Sequence, residues 1–181
     1  TLADYQYLDE GAYLFIVKSR YQEGEEKESS DSLSFTVDAI SGPGLRIYPL
    51  YTEIGTSEQF TIELYAEEVT QLTGAEIKLT YAPLLVSLLS TSEGAFLSAA
   101  QGQFVTIKEH DPETGNLVLT IATALDGAVG LAGTGSLARL VFTAQAAGSF
   151  ELEISENSQL RTGADVPVLQ FSIVSGWVVI E

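Results

Sequence analysis

The sequence predicts an all-β protein, a jelly-roll-like sandwich of nine strands preceded by a β-hairpin. Short runs of residues alternate between apolar and polar types, which is the pattern of strands with one buried face. These runs are rich in Val, Ile, Thr, Tyr and Phe, and turn residues separate them at the spacing typical of a sandwich. Helical periodicity is weak, and only residues 84–89 and 94–100 are expected to form a turn or two of helix.

The nine strands follow one another through the main part of the chain. In order, they are expected at residues 45–51, 59–65, 75–81, 104–108, 117–123, 137–144, 150–154, 168–174 and 176–180. The run 75–81 shows the pattern most clearly, because Ile77, Leu79 and Tyr81 are apolar and the residues between them are polar. Such a strand buries one face and leaves the other in water.

A domain boundary is expected at Pro43, which has a glycine on each side. This combination stops a strand and redirects the chain. We therefore predict two parts, residues 1–42 and residues 43–181, of which the second is long enough for a sandwich with its own core. The first holds two strands, at 12–20 and 32–39, joined by a charged loop at 23–31.

The N-terminal part carries the motif L-x-x-G-x-Y, with Leu8, Gly11 and Tyr13 just ahead of a strand. This motif resembles the tyrosine corner of immunoglobulin-like and fibronectin type III sandwiches, in which the tyrosine hydroxyl bonds back to upstream backbone. The resemblance implies that residues 1–42 are the last two or three strands of such a domain, whose beginning is missing. If the hairpin instead lacks its own sheet, its unpaired strand edges are expected to pair with another chain, such as a second copy of this one in a homodimer.

The charge of the chain excludes several classes of partner. There are 25 Asp and Glu residues against 8 Lys and Arg, which gives a formal net charge of −17. Nucleic acid and anionic membrane surfaces attract basic proteins, so neither is expected to bind this chain. No apolar run approaches the ~20 residues that span a bilayer, so membrane insertion is not expected either.

No catalytic residue, metal ligand or cofactor is predicted. The chain has no cysteine and a single histidine, His110, which leaves no thiolate zinc site and no multi-histidine site. It has no nucleophile elbow and no phosphate-binding glycine loop. Neighbouring acidic residues such as Glu67 and Glu68, or Glu151 and Glu153, do not indicate a catalytic carboxylate pair. A chain with 25 acidic residues is expected to contain such neighbours by composition alone. The glycine-rich run 127–135 contains no lysine and is predicted to be a flexible loop.

Residues 110–116 are predicted to join two strands. Asp111, Glu113 and Asn116 offer oxygen atoms of the kind that calcium prefers. Pro112 and Gly115 favour the simpler interpretation, a hairpin turn with one left-handed residue.

Two motifs carry a resemblance to a known family. Residues 73–83 (TGAEIKLTYAP) are similar to G-(F/A)-x-φ-x-φ-x-Y-D-P, where φ is apolar, and residues 135–142 (GSLARLVF) are similar to G-x-L-A-x-I-x-F. With the order of strands from Leu45 onward, the chain resembles a cohesin-type module, the β-sandwich of cellulosomal scaffoldins and related surface proteins. Ala82 stands where the family motif has Asp.

The resemblance implies a non-catalytic bacterial module, extracellular or on the cell surface, that binds a protein partner such as a dockerin through one sheet face. In the family, strands 3, 5, 6 and 8 supply this face. The matching outward positions here are Glu76, Lys78 and Thr80, then Phe104, Thr106 and Lys108, then Val118, Thr120 and Ala122. Gly74 and Glu76 stand where dockerin-binding examples have an Asn/Asp pair. The alternative interpretation of these residues is an ordinary solvated sheet face.

Two other functions are open at this point. A carbohydrate-binding module needs a row of exposed aromatic rings, which Tyr48, Tyr51 and Tyr65 could supply, while Trp177 is expected in the core. A structural spacer in a long adhesin needs no site at all.

Overall fold

The fold is described by a computed structural model that covers residues 8–17, 31–100, 103–124, 130–163, 166–168 and 170–181. The chain divides into two compact units, Thr1–Ala39 and Ile40–Glu181. Each unit is built from β-strands, and the second contains the sandwich.

The first unit is an antiparallel hairpin of β1 (Gly11–Val17) and β2 (Asp31–Val37). Tyr13 lies opposite Phe35, and the two rings stack with their centroids 5.5 Å apart. The Tyr13 hydroxyl donates a hydrogen bond of 2.7 Å to the carbonyl oxygen of Asp9. This is the backward bond that the L-x-x-G-x-Y motif predicts, so that local prediction is confirmed. The end of the first predicted strand, at 18–20, and residues 23–30 of the predicted loop lie outside the described residues.

The second unit is an all-β sandwich, which confirms the predicted fold class. Its strands are β3 (Gly44–Tyr48), β4 (Tyr51–Ile54), β5 (Gln59–Thr80), β6 (Val86–Glu93), β7 (Phe104–Asp111), β8 (Asn116–Thr123), β9 (Leu131–Ala144), β10 (Gly148–Ile154), β11 (Gln159–Thr162), β12 (Val166–Pro167), β13 (Ser172–Val174) and β14 (Gly176–Ile180). A short helix, α1 (Ala95–Ser98), lies within residues 94–100, as predicted. The ring of Phe96 packs so close to Gly135 that any Cβ there would collide with it, which explains the glycine in that motif.

Strand β5 belongs to both layers of the sandwich. Its first half pairs with β3 and β9, and β9 pairs in turn with β6. Its second half pairs with β8, β10 and β11, and β8 pairs with β7. Between the halves the backbone has positive φ at Glu68 (47°) and Gln71 (53°), and the register with β9 shifts on both sides of Val69. This bend carries one continuous strand from one layer to the other.

The last strands close the sandwich against its first ones. β13 pairs in parallel with β3, and β14 pairs in parallel with β4. On its other side β14 pairs antiparallel with β10. The beginning and the end of the second unit are therefore held together by backbone hydrogen bonds.

The core lies between the layers and is continuous. Ile77, Leu79 and Tyr81 are buried, which confirms the alternation predicted for residues 75–81. Phe142 stacks on Phe60 at 5.5 Å and meets the edge of Tyr81 at 5.3 Å. Burial of a large apolar side chain contributes about 1.5–3 kcal/mol, so these contacts stabilise the sandwich.

Two of the predicted elements near the start of the unit are wrong. The run 45–51 is interrupted at Pro49, which has no N–H to donate, and the chain then leaves β5 to pair with β14 as β4. Residues 84–89 form no helix: the backbone turns, with both Leu85 and Val86 donating to the carbonyl oxygen of Ala82 at 3.0 Å, and then enters β6. Pairing with β9 decides the structure here, because tertiary contacts override a weak local preference.

Two later predictions also need correction. Of the supposed loop 127–135, residues 131–135 belong to β9 and pair with the bend of β5, while 127–129 lie outside the described residues. Of the expected strand 168–174, residue 169 lies outside the described residues, and among the others Ser172–Val174 form a strand. β13 pairs with Gly44 to Arg46, the first three residues of β3.

Candidate partner-binding face

One outer sheet face is built from four strands in the order β11, β5, β8 and β7. Residues directly opposite each other on neighbouring strands share a face, because side chains alternate along a strand. The pairing gives three rows: Arg161, Gly74, Ala122 and Val105; Gln159, Glu76, Thr120 and Ile107; and Lys78, Val118 and Glu109. These residues, with Thr80 near the end of β5, are called the outer face below.

The predicted contact residues of β5 and β8 lie on the outer face. They are Glu76, Lys78 and Thr80 on β5, and Thr120 on β8, where Val118 and Ala122 accompany it. Their chain neighbours on β8 are buried in the core, as expected. The orientation predicted for these two strands is therefore confirmed.

The orientation predicted for β7 is wrong, because its two faces are reversed. Phe104 is only 4% exposed and packs in the core. Thr106 lies on the same inward side, with its hydroxyl oxygen buried. Lys108 shares this side by alternation, and its side chain is exposed at the edge of the sheet. The reversal has a simple cause: the largest apolar side chain of the strand gains most from leaving water.

The reversal places two residues on the outer face that the sequence reasoning assigned to the core. Val105 is 46% exposed and Ile107 is 59% exposed. Each lies beside a small or β-branched residue of β8, Ala122 and Thr120 respectively. The available signal was the run F-V-T-I, which has apolar residues on both faces of a strand that can bury only one. Adjacent exposed apolar side chains often mark an interaction site.

Charged groups of both signs border this apolar pair. The Nζ atom of Lys78 lies 2.8 Å from the Oε1 atom of Glu76, and both side chains are more than a third exposed. A surface ion pair of this kind contributes about 0–1 kcal/mol to stability. Glu109 projects beside Val118 in the next row. The face therefore combines an exposed apolar pair on its edge strand with exposed charges of both signs.

The hairpin at the end of β7 satisfies its own polar groups. The Asp111 carboxylate accepts hydrogen bonds from the Thr114 hydroxyl at 2.8 Å and from the backbone N–H of Glu113 at 3.0 Å. These bonds, led by the one from Thr114, hold the pKa of Asp111 below its usual value of 3.8. Gly115 has a φ of 74°, so the single left-handed residue predicted for this turn is confirmed.

His110 has a structural contact. Its Nε2 atom lies 2.7 Å from the hydroxyl oxygen of Tyr81, which itself packs against the core. Burial lowers the pKa of His110 and the nearby Lys108 lowers it further, whereas Asp111 acts in the opposite direction. Burial also raises the pKa of the Tyr81 hydroxyl. Both shifts favour a neutral imidazole whose Nε2 atom accepts a hydrogen bond from the protonated Tyr81 hydroxyl.

A second group of polar side chains lies on the other layer of the sandwich, on the side of β3 that faces away from the core. Its charged members, Arg46 and Glu67, are nonetheless buried. The Arg46 guanidinium forms an ion pair with Glu67 and lies 4.5 Å from the ring centroid of Tyr65 and 5.4 Å from that of Tyr48. The Thr134 hydroxyl donates to Glu67 at 2.8 Å and accepts the backbone N–H of Glu68 at 3.0 Å. Through these contacts the Glu67 carboxylate helps to fix the bend of β5.

The aromatic row considered for sugar binding does not form. The rings of Tyr48 and Tyr65 are neighbours, with their centroids 5.4 Å apart. Tyr51 lies on β4 instead, opposite Trp177 of β14. The prediction that Trp177 lies in the core is wrong: its side chain is 38% exposed, because Val178 and Ile180 take the inward positions of β14.

Across the described residues, no three His, Cys, Asp or Glu side chains come together in a way that could hold a metal ion. Within the same part of the chain, no helix is both long and apolar enough to cross a membrane.

Comparisons with known proteins give a clear result only at the level of structure. No family model and no curated protein matches the sequence. Among solved structures, a non-cellulosomal cohesin from the archaeon Archaeoglobus fulgidus is similar, with a TM-score of 0.63, 14% identity, and coverage of 76% of this chain and 90% of that one. A type II cohesin domain from Acetivibrio cellulolyticus gives a TM-score of 0.66, with 14% identity and coverage of 75% and 94%.

Some of the similar structures are complexes. The sixth cohesin of Acetivibrio cellulolyticus scaffoldin B, solved with a dockerin, gives a TM-score of 0.65, with 18% identity and coverage of 78% of this chain and 100% of that one. A type I cohesin–dockerin complex from Clostridium thermocellum gives a TM-score of 0.62, with 14% identity and coverage of 81% and 99%. The sandwich of this chain therefore has the fold of a cohesin module.

Proposed function

We propose that the chain is a non-catalytic protein-binding module of the cohesin type, which binds its partner on the outer face. The observation that carries the proposal is the pair of exposed apolar side chains Val105 and Ile107 on β7, the edge strand of the outer face. A solvated face gains nothing from two large apolar side chains in water, whereas a docking face gains their desolvation on binding.

The geometry suits a partner that binds without reshaping the module. The outer face consists of hydrogen-bonded strands, so its backbone is organised before the partner arrives. Val105 and Ile107 would supply desolvation on the β7 side of the contact. Glu76, Lys78 and Glu109 would set the register, because charges at the rim of an interface contribute more to orientation and association rate than to affinity.

A dockerin is the partner class that the comparisons favour, since cohesins of the same fold are found in complexes with dockerins. In such a complex the calcium loops would lie on the dockerin. This chain would differ from the cellulosomal pattern in its central contact, because β5 offers Gly74 and Glu76 rather than an Asn/Asp pair. The apolar pair on β7 would carry more of the binding free energy in compensation.

The same proposal places the module outside the cell or on its surface, as part of a larger assembly. Residues 1–42 would then be a fibronectin type III-like segment ahead of the module, as supported by the Tyr13 to Asp9 hydrogen bond. A carbohydrate-binding module is the weaker candidate, because Tyr48, Tyr51 and Tyr65 do not share one row.

Isothermal titration calorimetry against a panel of calcium-loaded dockerin modules tests the proposal. We expect at least one dockerin to bind, and EDTA to abolish the binding. Ile107→Glu should weaken that binding by about thirtyfold or more, since a carboxylate would be forced into the apolar part of the contact. The matched control is Leu89→Glu, a similarly exposed apolar residue on β6 in the other layer, which should bind normally.

Two results would contradict different parts of the proposal. Binding that survives Ile107→Glu unchanged would move the contact away from the outer face. The absence of any binding dockerin would remove that partner class, and a pull-down on insoluble polysaccharide would then test the carbohydrate alternative.

A further inference from the structure

A second surface of the sandwich is centred on Trp177, the single tryptophan of the chain. It lies in β14, between β10 on one side and β4 on the other. Its chain neighbours Gly176 and Val178 point into the core, so Trp177 points outward and is 38% exposed. A large aromatic ring held half in water on a hydrogen-bonded strand is a rigid surface for stacking.

The neighbours of Trp177 are aromatic and acidic. Tyr51 of β4 and Glu151 of β10 lie directly opposite it, one on each side. In the next row, Val179 has Glu53 as its neighbour on β4. The Tyr51 hydroxyl donates to the Oε2 atom of Glu53 at 3.3 Å, which ties the two rows together. These five residues are called the Trp177 platform below.

The charge of the platform restricts what can bind there. The strands that form it, with the sequences YTEI, GSFELEI and GWVVI, contain glutamates but no Lys or Arg. An anionic ligand would be repelled, and so would a second copy of a chain whose net charge is −17. A neutral sugar carries no charge for the carboxylates to attract. A cation gains twice, from the face of the indole ring and from the carboxylates beside it.

We propose that the Trp177 platform binds a Lys or Arg side chain presented by a basic segment of a partner polypeptide. The cationic group sits over the indole ring, with the Glu151 carboxylate on one side and the Tyr51 ring on the other. The site lies on β4, β14 and β10, whereas the outer face lies on β11, β5, β8 and β7. The two surfaces can therefore be tested separately.

Because Trp177 is the sole tryptophan, its fluorescence reports on this site alone. The full chain is titrated at low ionic strength with a blocked hexalysine peptide, and the tryptophan emission is followed. We expect a saturable change whose apparent affinity falls as salt is added. Glu151→Gln should weaken the binding by about threefold to tenfold, since it removes the carboxylate next to the ring.

The matched control separates a local site from general attraction to an acidic protein. Glu113→Gln removes the same unit of charge in the β7–β8 turn, away from the platform, and should change the affinity less than twofold. Equal weakening by both variants would overturn the proposal in favour of a net-charge effect. So would an emission that does not change with hexalysine, or one that changes with cellohexaose instead. Ile107→Glu, which adds one remote charge, should likewise change this affinity less than twofold, whatever its effect on the outer face.

Discussion

Among the described residues of the sandwich, two ion pairs use residues of the same long strand and have opposite surroundings. Glu67 lies at the bend of β5 and pairs with Arg46, and both side chains are almost completely buried. Glu76 and Lys78 lie further along β5 and pair with each other on the outer face, more than a third exposed. Each is a pair of one cationic and one anionic side chain, but the first is shielded from water and the second is exposed to it.

The difference shows what each pair does. A buried charge without its partner is strongly unfavourable, so the Arg46 pair locks the bend of β5 in one arrangement. An exposed pair is screened by water and holds little energy, so the Lys78 pair can open without cost to the fold. The first pair is therefore structural, and the second is available for recognition.

The largest expected effect comes from breaking the buried pair. Arg46→Ala leaves Glu67 charged and unpaired and uncovers the rings of Tyr48 and Tyr65. We expect the free energy of unfolding, measured by urea denaturation, to fall by about 3–5 kcal/mol. The double variant Arg46→Met with Glu67→Gln should recover part of this loss, because no uncompensated charge is left. A loss below about 1 kcal/mol for Arg46→Ala would show that the pair is not structural.

The next effect tests the hydroxyl that supports the buried pair. Thr134→Val keeps the shape of the side chain but removes the bond to Glu67 and the acceptor for the Glu68 backbone N–H. We expect a loss of about 1 kcal/mol in the same denaturation experiment. Thr134→Ser retains the hydroxyl and should stay closer to the original stability. If Ser and Val were equally destabilising, packing of the methyl group would be the cause.

A smaller effect should appear in the dependence of stability on pH. The pKa of His110 is lowered in the folded protein, so the unfolded chain takes up the proton first as pH falls below about 6.5. The stability contributed by the neutral imidazole is thus fully present above pH 6.5 and is lost as pH falls through the folded pKa. Denaturation midpoints between pH 7.5 and 5.5 should decline more steeply for the original chain than for His110→Gln. Parallel curves would contradict the assignment.

The smallest effect is expected for the exposed pair. Lys78→Ala should change the free energy of unfolding by less than about 0.5 kcal/mol. Its effect on partner binding should appear mainly in the association rate and in the salt dependence of that rate. Both are measured by stopped-flow mixing with a dockerin that binds in the calorimetric panel. A large loss of stability would remove the contrast between the two pairs.

The sequence was most informative where a strand has one clearly apolar side. Alternation placed Ile77, Leu79 and Tyr81 inside, and Glu76, Lys78 and Thr80 outside, and the structure agrees. The L-x-x-G-x-Y motif also gave the correct local bond at Tyr13, because that bond depends on residues within one turn of backbone.

The predictions failed where both sides of a strand carry apolar residues. In Phe104–Asp111 and Gly176–Ile180, alternation alone does not say which side chains are buried, since that depends on which neighbour covers the strand. For this reason Phe104, predicted to point outward, is buried, and Trp177, predicted to lie in the core, is exposed. The burial of Arg46 left no signal in its own strand, where it occupies the polar position between Leu45 and Ile47. Its cover comes from Tyr65 and Glu67, which are brought to it by the pairing of β3 with β5.

The path of β5 through both layers also affects how the sandwich comes apart. A layer that ended at its own edge strands could open while the other stayed closed, as local segments of many proteins do. Here the amides of one 22-residue strand hold β3 and β9 on one side of the bend and β8, β10 and β11 on the other. Loss of either layer strips half the hydrogen bonds from a strand that the other layer needs. The protected amides of both layers should therefore exchange with deuterium in a single cooperative step, so that the module is either whole or unfolded.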